Sequence, residues 1–337
     1  MLRRPPYVAG GSRIRIHKIC VPGTAGAQRA RTGGCNESDL VRREPRHATV
    51  LVFQAMRTFH CLAFASLLTG IAFGQTPRSI AAQPVEIPSG SLRLKGSLWK
   101  PTGKGPFAAV LFNHGSGGPD AAHTAGMPIT EAAERLAPLF VNHGYAFLYL
   151  FRRGHGPSAD QGPFIQDVLQ REEAPRGKEA RQHLQVVLVT TDHLQDVLAA
   201  LSFLKTVPGI DPHRVAVAGH SFGGQLTLLA AERDKTVRAA ITFGAAAASW
   251  DRSTELRERL LSAVRNAAAP IMLIQAENDY STVPSRALGE ELKRLDKPYL
   301  VKIYPAVGQN PDDGHNLLYK AIPEDDVFKF LNQHVTR

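Results

Sequence analysis

Cysteine is almost missing from the chain: only Cys20, Cys35 and Cys61 occur in 337 residues, and none lies beyond residue 61. The body that follows has neither a disulfide framework nor a thiol nucleophile, so it must stand on packing. A lack of thiols is also compatible with an oxidising compartment. A strong charge of one sign is missing from the body too. Residues 1–74 carry 11 Lys or Arg against 3 Asp or Glu, and the remainder carries 29 against 27, so almost all of the formal +10 sits at one end. A charge gathered in that way is not a basic face, and no nucleic-acid partner is expected.

The most apolar N-terminal run, Cys61 to Phe73, falls short of the about 20 residues that a spanning helix needs, which argues against a membrane anchor, the alternative to an export signal. It has instead the three parts of an export signal: the basic start Met56-Arg57-Thr58, the apolar stretch, and the small-x-small end Ala72-x-Gly74 before Gln75. Residues 56–74 are therefore expected to be a signal peptide, and the mature protein to be exported, periplasmic or secreted, without stable membrane insertion. Residues 1–55, rich in Arg, Gly and Pro, read as a disordered basic extension, either upstream of a translation start at Met56 or a genuine basic tail.

From about residue 84 short apolar runs alternate with amphipathic stretches, the pattern of a parallel sheet covered by helices on both faces. Val85–Ile87 and Leu92–Leu98 alternate with period two around Pro88-Ser89-Gly90 and predict an antiparallel edge hairpin. Buried strands are expected at Ala108–Phe112, Ala146–Phe151, Val215–Ala218, Ala239–Phe243, Ile271–Gln275 and Leu300–Tyr304. Helices are expected at Glu131–Asn142, Leu194–Lys205, Phe222–Glu232, Thr254–Arg265, Ser285–Leu295 and Asp325–Gln333. Residues 157–190 break the alternation with Gly, Pro and a charged run from Arg171 to Glu179, which reads either as a candidate lid or cap insertion or as a solvated excursion. The body, residues 75–337, is read as one domain.

The chemistry gathers around Gly219-His220-Ser221-Phe222-Gly223-Gly224, a G-x-S-x-G between a predicted buried strand and an amphipathic helix. A tight turn there forces the serine into a strained backbone, and small residues two before and two after it leave room. The helix aims its N-terminal amides at the place where an oxyanion forms. A serine hydroxyl needs a base in reach, and the base needs an orienting acid. Asp279 follows the strand ending at Gln275 and is the expected acid, with Glu277 as rival and Asp251 as a more distant candidate. Only His315 and His334 lie beyond Ser221; His315, in the loop after the last strand, is the expected base, and His334 is expected to face solvent.

Phe112-Asn113-His114-Gly115-Ser116-Gly117-Gly118 ends an early strand in a glycine turn. It is the expected second half of an oxyanion hole, with one amide from Phe222 and the other from Ser116 or Gly115. His114 is expected to brace the loop. In Phe151-Arg152-Arg153-Gly154-His155-Gly156, Arg153 is expected to bond the loop carbonyls, or else to grip a substrate carboxylate. His114, His155 and His220 lie in separate turns without paired-ligand spacing, so no metal is expected, and nothing implies a cofactor.

These residues, His114-Gly115, Arg153-Gly154-His155-Gly156-x-Ser158, the serine turn, Asp279 and His315, in this order, resemble the α/β-hydrolase superfamily, and within it the dienelactone hydrolase-like and prolyl oligopeptidase-like branches. The resemblance covers about residues 84–335. It implies an α/β fold with an eight-stranded, mostly parallel sheet whose first hairpin is antiparallel, Ser221 as nucleophile, and Asp279 and His315 completing the triad. Dienelactone hydrolases proper carry cysteine at the elbow, so the serine points to a carboxylesterase-like enzyme acting on a small-molecule ester. A small-peptide or amide hydrolase and a non-catalytic binding protein on the same fold are the alternatives. Prolyl oligopeptidases normally add a propeller domain, for which 337 residues leave no room.

Overall fold

The computed structural model describes residues 81–117 and 127–336. The segments expected to be a basic extension and an export signal, residues 1–74, and Gly118 lie outside the described residues. Eight strands, β1 (Gln83–Ser89), β2 (Leu92–Trp99), β3 (Phe107–Asn113), β4 (Ala146–Phe151), β5 (Ile210–His220), β6 (Ala240–Phe243), β7 (Ile271–Ala276) and β8 (Tyr299–Tyr304), form one sheet in the order β1-β2-β4-β3-β5-β6-β7-β8. β2 runs antiparallel to both β1 and β4, and every later pairing is parallel. The chain reverses between β3 and β5, which sit side by side although β4 lies between them in sequence. Ligands bind at the carboxyl ends of strands beside such a reversal, and His114 and Ser221 follow directly on these two strands.

The side-chain period of two divides the core. Along β3, Ala109 and Leu111 face one cluster while Val110 and Phe112 face the other. The first cluster is closed by α3 (Asp192–Thr206), α4 (Phe222–Arg233), α5 (Thr254–Asn266) and α6 (Val283–Arg294), through residues such as Val197, Leu229, Leu260 and Leu288. The second is closed by α1 (Ile129–Asn142) and α9 (Glu324–His334), through Leu136, Phe140, Phe328 and Leu331. Burial of the central strands on both faces explains why they read as continuous apolar runs.

The structure differs from expectation at several elements. β1 continues through Pro88, which pairs with Arg93, and the turn falls at Gly90, with φ of +59°. A proline is tolerated there because β1 is an edge strand. β5 starts at Ile210, ahead of a bulge that lets it pair with Phe107. The candidate lid segment is largely helical: after a 3-10 turn at Gly156–Gln161, α2 (Ile165–Thr190) fills it and leads through Thr191 into α3. Its buried residues, Ile165, Leu169, Val186 and Val189, lie at its two ends. The charged middle is solvated, with Arg176 on Glu172 at 2.7 Å and Arg181 on Glu173 at 3.0 Å, and breaks at Gly177 after Pro175. The charged run hides a helix whose apolar contacts are confined to its ends.

Candidate active site

The turn from β5 into α4 is tight enough to exclude a side chain two residues to either side of the serine. A Cβ on Gly219 would lie 2.4 Å from the Gly223 carbonyl oxygen, and one on Gly223 would lie 2.0 Å from the Asn113 oxygen. Ser221 stands between them at φ +54°, ψ −117°, a backbone region that costs a non-glycine residue on the order of 1–3 kcal/mol. The core on both sides holds the strain in place, and the Ser221 amide is fixed to the Phe243 carbonyl at 2.8 Å.

His315 Nε2 lies 2.9 Å from Ser221 Oγ, and its Nδ1 lies 2.8 Å from Asp279 Oδ1. With the carboxylate as acceptor, Nδ1 carries the proton and Nε2 accepts from the serine hydroxyl. Asp279, only 7% exposed, also accepts from Gln275 Nε2 at 2.8 Å and from the Tyr280 amide at 2.7 Å. Its orientation is thus set by three donors. Glu277, the rival acid, is exposed, as is Asp251, and neither approaches His315 through a side-chain hydrogen bond. His334 is half-buried, with its ring edge-on to Phe330 at 4.7 Å, and is not the solvent-facing residue expected.

His315 ends a short helix, α7 (Pro311–His315), where a loop is predicted; Asn310 caps that helix by accepting from the Asp313 amide. Asn278 donates to the Val307 and Asn310 carbonyls and accepts from the Val307 amide, which joins the loops after β7 and β8. His220, beside the serine, holds the His315 carbonyl at 2.8 Å through Nε2. Burial, with His315 adding to it, pushes the His220 imidazole down to about 3, so it stays neutral.

The expected role of Arg153 belongs to Arg152. Arg152 is fully buried and donates from Nη1 to the His114 carbonyl and from Nη2 to the Gly115 carbonyl, both at 2.8 Å. A trans peptide points its N–H opposite to its C=O, so clamping these two carbonyls turns the amides of Gly115 and Ser116 away from Arg152, where both residues line the cleft. Phe222 opens α4, and its amide is one of the helix's first N–H groups, without an intrahelical acceptor. Arg153 instead forms a bidentate pair with buried Asp196, at 2.8 and 2.9 Å, and a further pair with Asp192 at 2.9 Å, tying the turn after β4 to α3.

The early histidines are not as separate as their turns suggest. His114 and His155 stand ring to ring at 4.8 Å, and His193 from α3 joins His155 at 6.2 Å, with Arg152 among them. His114 accepts from the Arg152 amide at Nε2 and donates from Nδ1 to the Gly115 carbonyl, which defines its neutral tautomer. Burial, and then the Arg152 charge, holds all three well below the ordinary histidine range. Among the described residues no group of His, Cys, Asp or Glu is placed to hold a metal ion.

The serine opens onto a cleft of about 670 Å³, lined by Ser116, His220, Tyr280, Asp312 and His315 among others. Residues 159–310 match the dienelactone hydrolase family. The chain has an α/β-hydrolase fold, and the family match lies within it. The match takes in Ser221 and Asp279 and ends before His315. The chain is similar to the quorum-quenching protein AidA of Acinetobacter baumannii, at 27% identity over 171 residues that span 50% of this chain and 46% of that protein. Its fold is similar to an acylaminoacyl peptidase of Pyrococcus horikoshii, with a TM-score of 0.57 at 19% identity, covering 77% of this chain and 42% of that one. It is also similar to a dienelactone hydrolase from Anabaena variabilis, with a TM-score of 0.51 at 19% identity over 76% of this chain and 99% of that one. The matched part thus spans less than half the length of both AidA and the peptidase.

Proposed function

We propose that the protein is a serine hydrolase that cleaves a small-molecule ester through an acyl-enzyme. The single observation that carries this reading is the continuous hydrogen-bond chain Ser221 Oγ, His315, Asp279, at 2.9 and 2.8 Å. Ser221 Oγ attacks the ester carbonyl while its proton passes to His315 Nε2, and the Asp279 carboxylate stabilises the imidazolium that results. The carbonyl oxygen becomes an oxyanion beside the amides of Phe222 and of Ser116 or Gly115, each donor contributing on the order of 3 kcal/mol in the transition state. Collapse of the adduct breaks the bond to the alcohol oxygen, which leaves with the proton from His315. Water, deprotonated by the same nitrogen, then attacks the acyl-enzyme and releases the carboxylic acid and the free serine.

The test is p-nitrophenyl acetate hydrolysis by the full chain and its Ser221→Ala variant, followed from the first turnover. A burst of p-nitrophenol close to one per chain, lost in the variant, is the expected result. Equal rates in the two proteins would refute the assignment.

A further inference from the structure

Two chambers meet at Ser221, and only one of them reaches His315. The cleft of about 670 Å³ contains the His315 ring, with Tyr280 and Asp312 beyond it. The other chamber, about 130 Å³, also borders Ser221 but not His315, and is walled by α2, the start of α4 and the segment after β6. The two share Ser116, Ser221, Ala248 and Arg252. If Ser221 is the nucleophile and His315 the proton carrier, the leaving oxygen must lie within hydrogen-bond reach of Nε2. The alcohol then occupies the large cleft, and the acyl group is directed into the small chamber.

The small chamber is not built for an alkyl chain. Gln166, Gln185, Gln225, Ser249 and Arg252 stand in its wall, in a family of sites that is usually mostly apolar. Gln225 is 3% exposed; its Nε2 donates to Ser249 Oγ at 3.2 Å, and its Oε1 has no partner. A buried amide oxygen left unpaired is costly, on a scale that a bound donor would offset. Among the described residues, the side chains of Gln185 and Arg252 also make no hydrogen bond or ion pair, whereas Gln166 is engaged by Arg181 at 3.2 Å. Gln225 Oε1 is thus the buried unpaired group in this wall, and half-buried Gln185 and exposed Arg252 border the same small space beside Ser221.

We infer that the acyl half of the substrate is short and polar, bearing an amide or hydroxyl group within a few atoms of the scissile carbonyl, and that the bulk of the substrate lies on the alcohol side. The inference rests on the assignment of Ser221 and His315 proposed above. It makes Gln225 and Gln185 selectivity residues for the acyl group and leaves the chemical steps unchanged.

The test compares p-nitrophenyl N-acetylglycinate with p-nitrophenyl pentanoate, which share a leaving group and have acyl chains of similar length. The full chain, Gln225→Leu and Gln185→Leu are assayed, each kcat/KM being divided by the rate of alkaline hydrolysis of the same ester. A corrected preference of at least tenfold for the N-acetylglycinate in the parent is expected, falling to threefold or less in at least one variant through KM more than kcat. Attachment of a fluorophosphonate to Ser221 in all three proteins shows that each retains a formed site. A parent that labels at Ser221 yet takes pentanoate as well or better overturns the acyl inference alone. So does a preference that neither labelled variant alters. Failure of the parent to label at Ser221 removes the inference together with the assignment beneath it.

Discussion

His220 Nε2 donates to the backbone carbonyl of His315 at 2.8 Å, so the residue next to the proposed nucleophile positions the residue proposed as its base. The bond references His315 to β5 directly, across 95 residues of chain. His220→Leu removes it while keeping an apolar body of moderate size. A hydrogen bond of about 1 kcal/mol converts to roughly fivefold to tenfold in rate, so kcat is expected to fall by about that factor. KM for a p-nitrophenyl ester should change by less than about twofold, since uniform binding is untouched. An effect on KM alone would place His220 in substrate binding instead.

Arg152 gives a second prediction, because its two carbonyl contacts at 2.8 Å are made by one planar fork. Arg152→Lys keeps the charge but cannot span both acceptors. Leaving a buried carbonyl and a poorly paired ammonium should cost about 2–4 kcal/mol of stability. Loosening the Gly115 and Ser116 amides should lower kcat by about a hundredfold, the scale of losing one oxyanion donor. Urea unfolding and steady-state kinetics measure the two effects; unchanged kcat in a folded variant would detach Arg152 from the oxyanion loop.

Much of this arrangement is legible in the amino-acid order. The strand–turn–helix around Ser221 announces itself because glycines at 219 and 223 are required by contacts made within the turn and with the adjacent loop. Asp279 and His315 follow strands in sequence, so chain order places them at the same sheet edge. The sequence reading assigns the loop carbonyls to Arg153 and the structure gives them to Arg152, since only the three-dimensional parity of the strand end decides which of two consecutive arginines turns inward. His193 gave no signal at all: it sits in an ordinary amphipathic helix, and its meeting with His155 depends on α3 packing across the sheet. α2 was hidden because its middle is solvated, leaving no continuous apolar stripe.

The four neutral histidines set the acid limit of stability. Burial lowers His114, His155, His193 and His220, with His155 and His220 down to about 3. In the unfolded chain these groups take up protons below a pKa of about 6.5. The folded state does not, so the stabilisation from their depressed pKa values is complete above that pH and declines as pH falls from there towards 3. Each contributes a slope of up to about 1.4 kcal/mol per pH unit. The Tm is expected to drop clearly between pH 7.5 and 5, and His193→Leu to flatten that dependence. A Tm constant over this range would contradict the buried neutral cluster.

Two glycines should fail in different ways. A Cβ on Gly223 would lie 2.0 Å from the Asn113 oxygen, and backbone cannot yield there, so Gly223→Ala is expected to abolish soluble folded protein. Gly244, at φ +62°, would place a Cβ 3.0 Å from both Asp279 Oδ2 and His315 Nδ1. Gly244→Ala should fold with a loss of about 1–2 kcal/mol from its backbone. Its kcat should drop by tenfold or more through displacement of the His315–Asp279 pair. Circular dichroism melts and kcat separate the cases; a fully active Gly244→Ala would show that the pair tolerates displacement.

The most direct measurement of the central claim is mass-spectrometric mapping of a fluorophosphonate adduct on the full chain, beside Ser221→Ala and His315→Gln. The account predicts one adduct on Ser221, none in Ser221→Ala, and labelling slowed by about a thousandfold or more when the base is removed. An adduct on another residue, or labelling at Ser221 that ignores the loss of His315, would contradict it.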